Sequence, residues 1–341
     1  YQIEWSDVIP LIAISLIPVF VFLTGLMVMD SYKLIKPHLV ALAILYGGAA
    51  AGICYFINPF AARVLELSGD QLSRYVAPFT EEGTKALLLF LLIARHKVGF
   101  PVDAAIAGFS IGAGFAVVEN IYYLNAYGDV GLHIWFVRGF GTAVMHSSTT
   151  ALLGIITLQL MNRRGFSLPL AGLAGLGAAY IVHSTFNHFP LAPTPMTLLE
   201  LVVLPPIVLF VFQRSEQVTQ EWLGVGFDTD QELLKQMTFH GISNSRVGDY
   251  LDSLREQFDG PVVADMLCYL RIHVEISIAA KGTLLMRKAG FNTTPDASLK
   301  AKFEELEYLK KAIGRTGLLA LSPFIHTSSQ DLWQIHFVKN E

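Results

Sequence analysis

Five ionisable side chains and two imidazoles stand in stretches of this sequence that are otherwise apolar. Glu81, Glu82 and Lys85 fall in YVAPFTEEGTKALLLF, Glu119 in GFAVVEN, Arg138 and His146 in RGFGTAVMHSSTT, and His183 in HSTFNH. If these stretches are helices, Glu81 and Lys85 share a face at four-residue spacing, and Glu82 is within three-residue reach of the same lysine. One lysine compensates one carboxylate, so the other glutamate needs a proton or a further cation. Phe115 shares a face with Glu119, beside Asn120. Arg138, Thr142, His146 and Thr150 form a polar line, and His183 is paired with Asn187. Carboxylates and imidazoles brought to one place either activate water by acid–base catalysis or bind a metal ion. Cys54 has no histidine or cation nearby in sequence, which disfavours a cysteine nucleophile. Ser147 and Ser148 adjoin His146, but adjacent helical positions do not face each other, which disfavours a serine mechanism.

The elements that must position these residues are membrane helices. The chain has 341 residues, 53% hydrophobic and 15% charged, against roughly 25% charged in soluble proteins. The imbalance is local: residues 1–213 hold 21 charged side chains, and residues 214–341 hold 31. The net charge of −4 excludes a globally basic nucleic-acid binder. Cys54 and Cys268 fall in different parts and form no disulfide framework. About seven apolar runs approach the length needed to cross a bilayer, at 10–29, 37–57, 75–94, 104–124, 133–161, 168–189 and 196–213. Lys33, Lys36, Arg95, Lys97, Arg163, Arg164 and Arg214 fall in alternate loops, against Arg63 and Arg74 on the other side. This places the N-terminus outside and the C-terminal part in the cytoplasm. At 1.5 Å per residue, Glu81, Glu119 and His183 each lie about 9 Å in from the outer end of their helix, and His146 about 12 Å in. A charge at mid-bilayer costs about 2.5–3.5 kcal/mol, so these side chains must face inward and find partners. Gly48, Gly52, Gly108, Gly112, Gly172, Gly175 and Gly177 suggest close helix packing.

The motifs Glu81-Glu82-x-x-Lys85, Phe115-x-x-x-Glu119, His146 and His183-x-x-x-Asn187, in this order on successive helices, resemble those of the PrsW family of intramembrane proteases. That family lies within the wider clan of CAAX proteases and bacteriocin-processing enzymes. The resemblance covers about residues 75–190. The clan more often carries Arg where this chain has Lys85 and His where it has Glu119, which favours the PrsW branch. The resemblance implies peptide-bond hydrolysis in a multi-pass protein of the bacterial cytoplasmic membrane. It also implies a membrane-anchored protein substrate, an anti-sigma factor cut at its first site being the associated case.

These observations give an all-α, polytopic helix bundle: a transmembrane protease domain at 1–213 and a soluble, helical cytoplasmic domain at 214–341. Glu81 is the expected general base and Glu119 the residue that positions the water. His183 and Asn187 would donate to the oxyanion. Glu82 or His146 would hold the geometry or pass a proton to the leaving amine, with Lys85 and Arg138 in support. The alternatives for a cofactor are none, or Zn²⁺ on Glu82, Glu119, His146 and His183. A proton- or cation-coupled transporter using the same cluster is the competing function. In the C-terminal part, DTDQELLKQM, SRVGDYLDSLREQF, PVVADMLCYLRIHVEISIAAKGTLLMRKAG and SLKAKFEELEYLKKAIG read as amphipathic helices, with Asp228 capping the first and Gly314 or Gly317 ending the last. Their apolar faces suit a small bundle or a homo-oligomer interface.

Overall fold

The computed structural model describes residues 5–32, 35–126, 132–238, 245–291 and 298–325. Lys33, used above for orientation, lies outside them. The described residues are helical, with no strand among them. They divide into two compact units, residues 1–216 and 217–341.

The first unit holds α1 (Trp5–Met29), α2 (Pro37–Val64), a capped turn α3 (Gly69–Gln71), α4 (Ala77–Ala94), α5 (Pro101–Ala126), a short α6 (Leu132–Phe136), α7 (Ala143–Arg164), α8 (Leu168–Asn187) and the start of α9 (Pro193–Thr238). Wide π-type turns, Leu72–Val76 and Val137–Thr142, lead into α4 and α7. Among the described residues, five helices are long and apolar enough to span a bilayer: α2, α5, α8, α9 and the continuous run His133–Asn162. The described apolar stretch of α1, Ala13–Met29, is shorter. Helix α4 is apolar apart from Glu81, Glu82 and Lys85.

Helix α5 is the hub, packed against α2 on one side and α7 on the other, with α8 beyond α7. Its sequence explains this, because AAIAGFSIGAG presents small residues on every side and lets neighbouring backbones approach. A methyl group at Gly108 would collide with the carbonyl of Thr150, and one at Gly112 with that of His146. Gly52 and Gly177 meet nothing within 4 Å and serve no such contact. Around this hub Val19, Leu26, Ala43, Leu89, Phe109, Leu153 and Phe212 form a continuous core.

The lead-in to α4 has its own logic. Pro78 carries no N–H, so carbonyls behind it lose helical donors. Ala77 N–H reaches back to the Leu72 carbonyl. Two side chains of α8 serve the carbonyls that follow: Asn187 Nδ2 donates to Ser73 O at 2.9 Å, and Ser184 Oγ to Arg74 O at 2.6 Å. The irregular turn thereby fastens α4 to α8.

In the second unit α10 (Arg246–Ser253), α11 (Gly260–Lys288) and α12 (Ser298–Ala320) follow the end of α9. Asp228 lies inside α9 instead of capping a new helix, because nothing between Gln213 and Asp228 stops the helix. Gly314, at φ 71° and ψ 178°, leaves helical geometry and breaks α12 there, as its sequence suggested. Buried Lys281 on α11 donates to Asp230 Oδ2 at 2.7 Å, and Ser277 Oγ donates to the same oxygen at 2.6 Å. Glu275 bonds Arg271 at 3.0 Å and Lys302 of α12 at 2.9 Å. Burial raises the pKa of the Glu275 carboxyl, but those two cations outweigh it and hold the group below its ordinary range.

The close approach of α5 and α7 predicts that Gly112→Ala destabilises the protein by about 1–3 kcal/mol through overpacking, whereas Gly177→Ala on α8 is neutral. Thermal unfolding of the two variants in detergent checks this. Equal midpoints would contradict the packing.

Candidate active site

The site begins with a buried ion pair. Lys85 Nζ lies 2.6 Å from Glu82 Oε1, and both side chains are fully buried. Spacing alone allowed Lys85 to pair with either glutamate; the fold selects Glu82. The same carboxylate takes His183 Nδ1 at 2.8 Å, Thr149 Oγ1 at 3.3 Å and Thr150 Oγ1 at 3.4 Å. Helices α4, α7 and α8 therefore meet on one carboxyl group.

These contacts dictate where the imidazole protons sit. An ammonium has no lone pair to offer. Lys85 Nζ is 3.1 Å from His146 Nδ1, so Nδ1 is the acceptor. As a neutral ring, His146 then carries its hydrogen on Nε2, 3.0 Å from Glu119 Oε2. His183 is the opposite tautomer. Its Nδ1–H donates to Glu82, leaving Nε2 with a bare lone pair. The two rings meet edge to face, 4.8 Å between centroids, and Phe115 lies beside both His146 and the Lys85 ammonium.

Glu81 stands apart from Lys85. Its Oε2 faces His183 Nε2 at 3.8 Å, too far for a hydrogen bond. Its Oε1 accepts from Asn58 Nδ2 on α2 at 3.1 Å. Thr80 Oγ1 donates to Asn58 Oδ1 at 2.6 Å, which fixes the orientation of that amide. Glu119 is held from the other side by Arg138 Nη2 at 3.2 Å, while Arg138 Nε donates to Asn120 Oδ1 at 2.8 Å. The Arg138 guanidinium stacks 3.7 Å from the centre of the Tyr123 ring. Glu81 and Glu119 line a cavity of about 500 Å³ between α2 and α5, walled mostly by apolar and aromatic side chains including Tyr55, Phe56, Phe115 and Tyr122. Glu82, Lys85, His146 and His183 are not among its lining residues.

The structure thus gathers Glu81, Glu82, Lys85, Glu119, Arg138, His146 and His183. Asn187, expected at the oxyanion, instead directs its amide to Ser73, where Pro78 leaves a carbonyl to be served. Asn58 and Thr80 were missed. Asn58 sits just past the apolar run 37–57, where an amide next to Pro59 looks like a helix end, although α2 continues to Val64.

A metal ion would find a different donor set from the expected one. Glu81, His146 and His183 offer ligand atoms within 4.8 Å of one another. Tetrahedral zinc with bonds of about 2.0–2.1 Å needs its ligands somewhat closer together. His183 fits well, because a carboxylate on Nδ1 and a free Nε2 is how metal-binding histidines are commonly oriented. Glu82 is then the orienting carboxylate and not a ligand. His146 fits through Nε2 once its hydrogen moves to Nδ1, which requires giving up the contact with Lys85. With that adjustment the set suits a divalent cation.

A bundle of apolar helices enclosing carboxylates and imidazoles beside an apolar cavity defines a membrane protein with a hydrolase-like centre. A family model described as "PrsW family intramembrane metalloprotease" matches residues 36–212, more than half of the chain, and the chain belongs to that family. It is similar to Protease PrsW of Shouchella clausii (strain KSM-K16), 45% identical over 51 residues, or 15% of this chain and 24% of that protein. The aligned part is thus about a quarter of that relative's length. No solved structure matches.

The buried pair predicts that Lys85→Met, which strands Glu82, costs about 3–5 kcal/mol of stability. Lys85→Met with Glu82→Gln should recover much of that loss. Thermal melts of the single and double variants check this; a single variant as stable as wild type would contradict it.

Proposed function

We propose that this protein is an intramembrane endopeptidase, that Glu81 and His183 activate the attacking water, and that the substrate is a membrane-anchored polypeptide. The observation that carries this is the approach of Glu81 Oε2 and His183 Nε2 to 3.8 Å of one another, with Glu81 opening on an apolar cavity. Such a pair suits a water that donates one hydrogen to each acceptor and turns its lone pair toward a carbonyl carbon. As the oxygen–carbon bond forms, Glu81 takes the water proton. Glu81 then delivers that proton to the amide nitrogen as the carbon–nitrogen bond breaks. Asn58 holds the other oxygen of Glu81, so the carboxylate cannot swing away. Glu119, neutralised by Arg138 and bonded to His146, is the weaker base and steadies the water. Asn187 contributes by fastening α8, and with it His183, to α4.

A second reading rests on the three donor atoms within 4.8 Å and on the family's printed description as metalloproteases. Glu81, His146 and His183 would hold a divalent ion, such as Zn²⁺. Bound there, it would supply Lewis-acid chemistry toward the peptide carbonyl and the attacking water. Glu119 is then the carboxylate left to take the proton.

In this account seven helices cross the membrane, the N-terminus lies outside, and residues 214–341 form a cytoplasmic domain whose apolar faces support self-association. An anti-sigma factor anchored by one span is a fitting substrate.

The test is cleavage of a reconstituted single-span reporter, with metal content measured on the same sample. Glu81→Gln should abolish cleavage and leave the melting temperature unchanged. Cleavage by metal-free protein, insensitive to chelator, supports the first reading. About one equivalent of metal with chelator-sensitive cleavage supports the second. Cation uptake into liposomes without any cleavage would overturn both and favour a transporter.

A further inference from the structure

A second cavity, about 530 Å³, lies on the other side of the Glu119–Arg138 pair from the first. The two share Tyr123 as a common wall, and the Arg138 guanidinium is stacked on that ring. Their ionisable linings are opposite in sign. The first cavity holds Glu81 and Glu119. The second holds Arg138 and His133, and no acidic residue is among the described residues that line it.

The second cavity also has hydrogen-bond donors in excess. Trp135 lines it and is fully buried, yet its indole N–H has no acceptor. Arg138 Nη2 lies 3.2 Å from Glu119 Oε2 but has no aligned hydrogen bond, and Nε is already committed to Asn120. Arg138 is therefore held rigid on one side by Asn120 and Tyr123, with N–H groups left to donate. The first turn of α9, at Pro193 and Thr194, lines the cavity too; Pro193 and Pro195 carry no N–H, so Thr194 is the backbone donor of that turn. A buried donor without an acceptor is costly, and a carboxylate is the acceptor that best satisfies a guanidinium.

We propose that this cavity is a carboxylate-binding subsite that takes one Asp or Glu side chain of the polypeptide, to one side of the bond that is cut. It rests on the endopeptidase reading above and deepens it. A chain lying across Glu119 places its reacting carbonyl at Glu81 and a neighbouring acidic residue against Arg138 and Trp135. Trp135 acts here as a specificity-determining residue.

Binding tests this apart from catalysis. The probes are fluorescent, apolar, single-segment peptides in which one Glu is walked along the sequence, each with a Gln counterpart. Their affinities are measured on full-length Glu81→Gln protein in detergent. One register should bind about tenfold more tightly with Glu than with Gln. Ala192→Trp, at the exposed rim of the cavity, should erase that difference, and Trp135→Phe should reduce it. Equal affinities in every register, or a preference that survives Ala192→Trp, would overturn the subsite. Wild-type cleavage of the same peptides separates the two claims. Cleavage without a Glu preference removes the subsite and keeps the endopeptidase; a Glu preference without cleavage does the reverse.

Discussion

The buried Lys85–Glu82 pair is the constraint on which the rest of the site depends. Two full charges removed from water are tolerable only when their remaining hydrogen-bonding capacity is also met. Here that capacity is met by His146, His183, Thr149 and Thr150, which come from α7 and α8. Separating these helices would leave the pair intact on α4 but strip it of the hydrogen bonds that make its burial tolerable. The pair also makes the two histidines unlike. A cation on one Nδ1 and a carboxylate on the other force opposite tautomers, so one ring offers a proton and the other a lone pair. This asymmetry makes two imidazoles that look alike in the sequence chemically different in the fold.

Holding that cluster requires backbones closer than ordinary side chains allow. Gly112 brings α5 against the carbonyl of His146 itself, so the packing of α5 on α7 sets the height of the imidazole. Pro78 does comparable work on α4. By withholding an N–H just before the glutamates, it leaves carbonyls that draw Asn187 and Ser184 of α8 to them. The irregular turns at Leu72–Val76 and Val137–Thr142 adjoin Glu81 and carry Arg138. Such turns are frequent at functional sites, where they re-aim the residues that follow.

Much of this was legible before any coordinates. Charges in apolar runs must converge on partners, and Glu81, Glu82, Glu119, His146 and His183 do converge. The choice of Lys85 was not legible, because three- and four-residue spacings both reach it and only the placement of α2 and α8 decides. Asn58 was hidden by its position beside a proline that failed to end the helix. The fate of Asn187 turned on a carbonyl that Pro78 leaves without its helical donor, a consequence visible only once the wide turn is known. The course of α9 beyond residue 213, through Asp228 to Thr238, was equally hidden, since the change from apolar to charged residues there does not stop the helix.

The most direct measurement of the central claim is the protonation state of each histidine nitrogen, read by ¹⁵N NMR on histidine-labelled protein near neutral pH. His183 should show a protonated Nδ1 and an unprotonated Nε2, and His146 the reverse, with the difference lost in Lys85→Met. Two rings in the same tautomer, or both doubly protonated, would contradict the account.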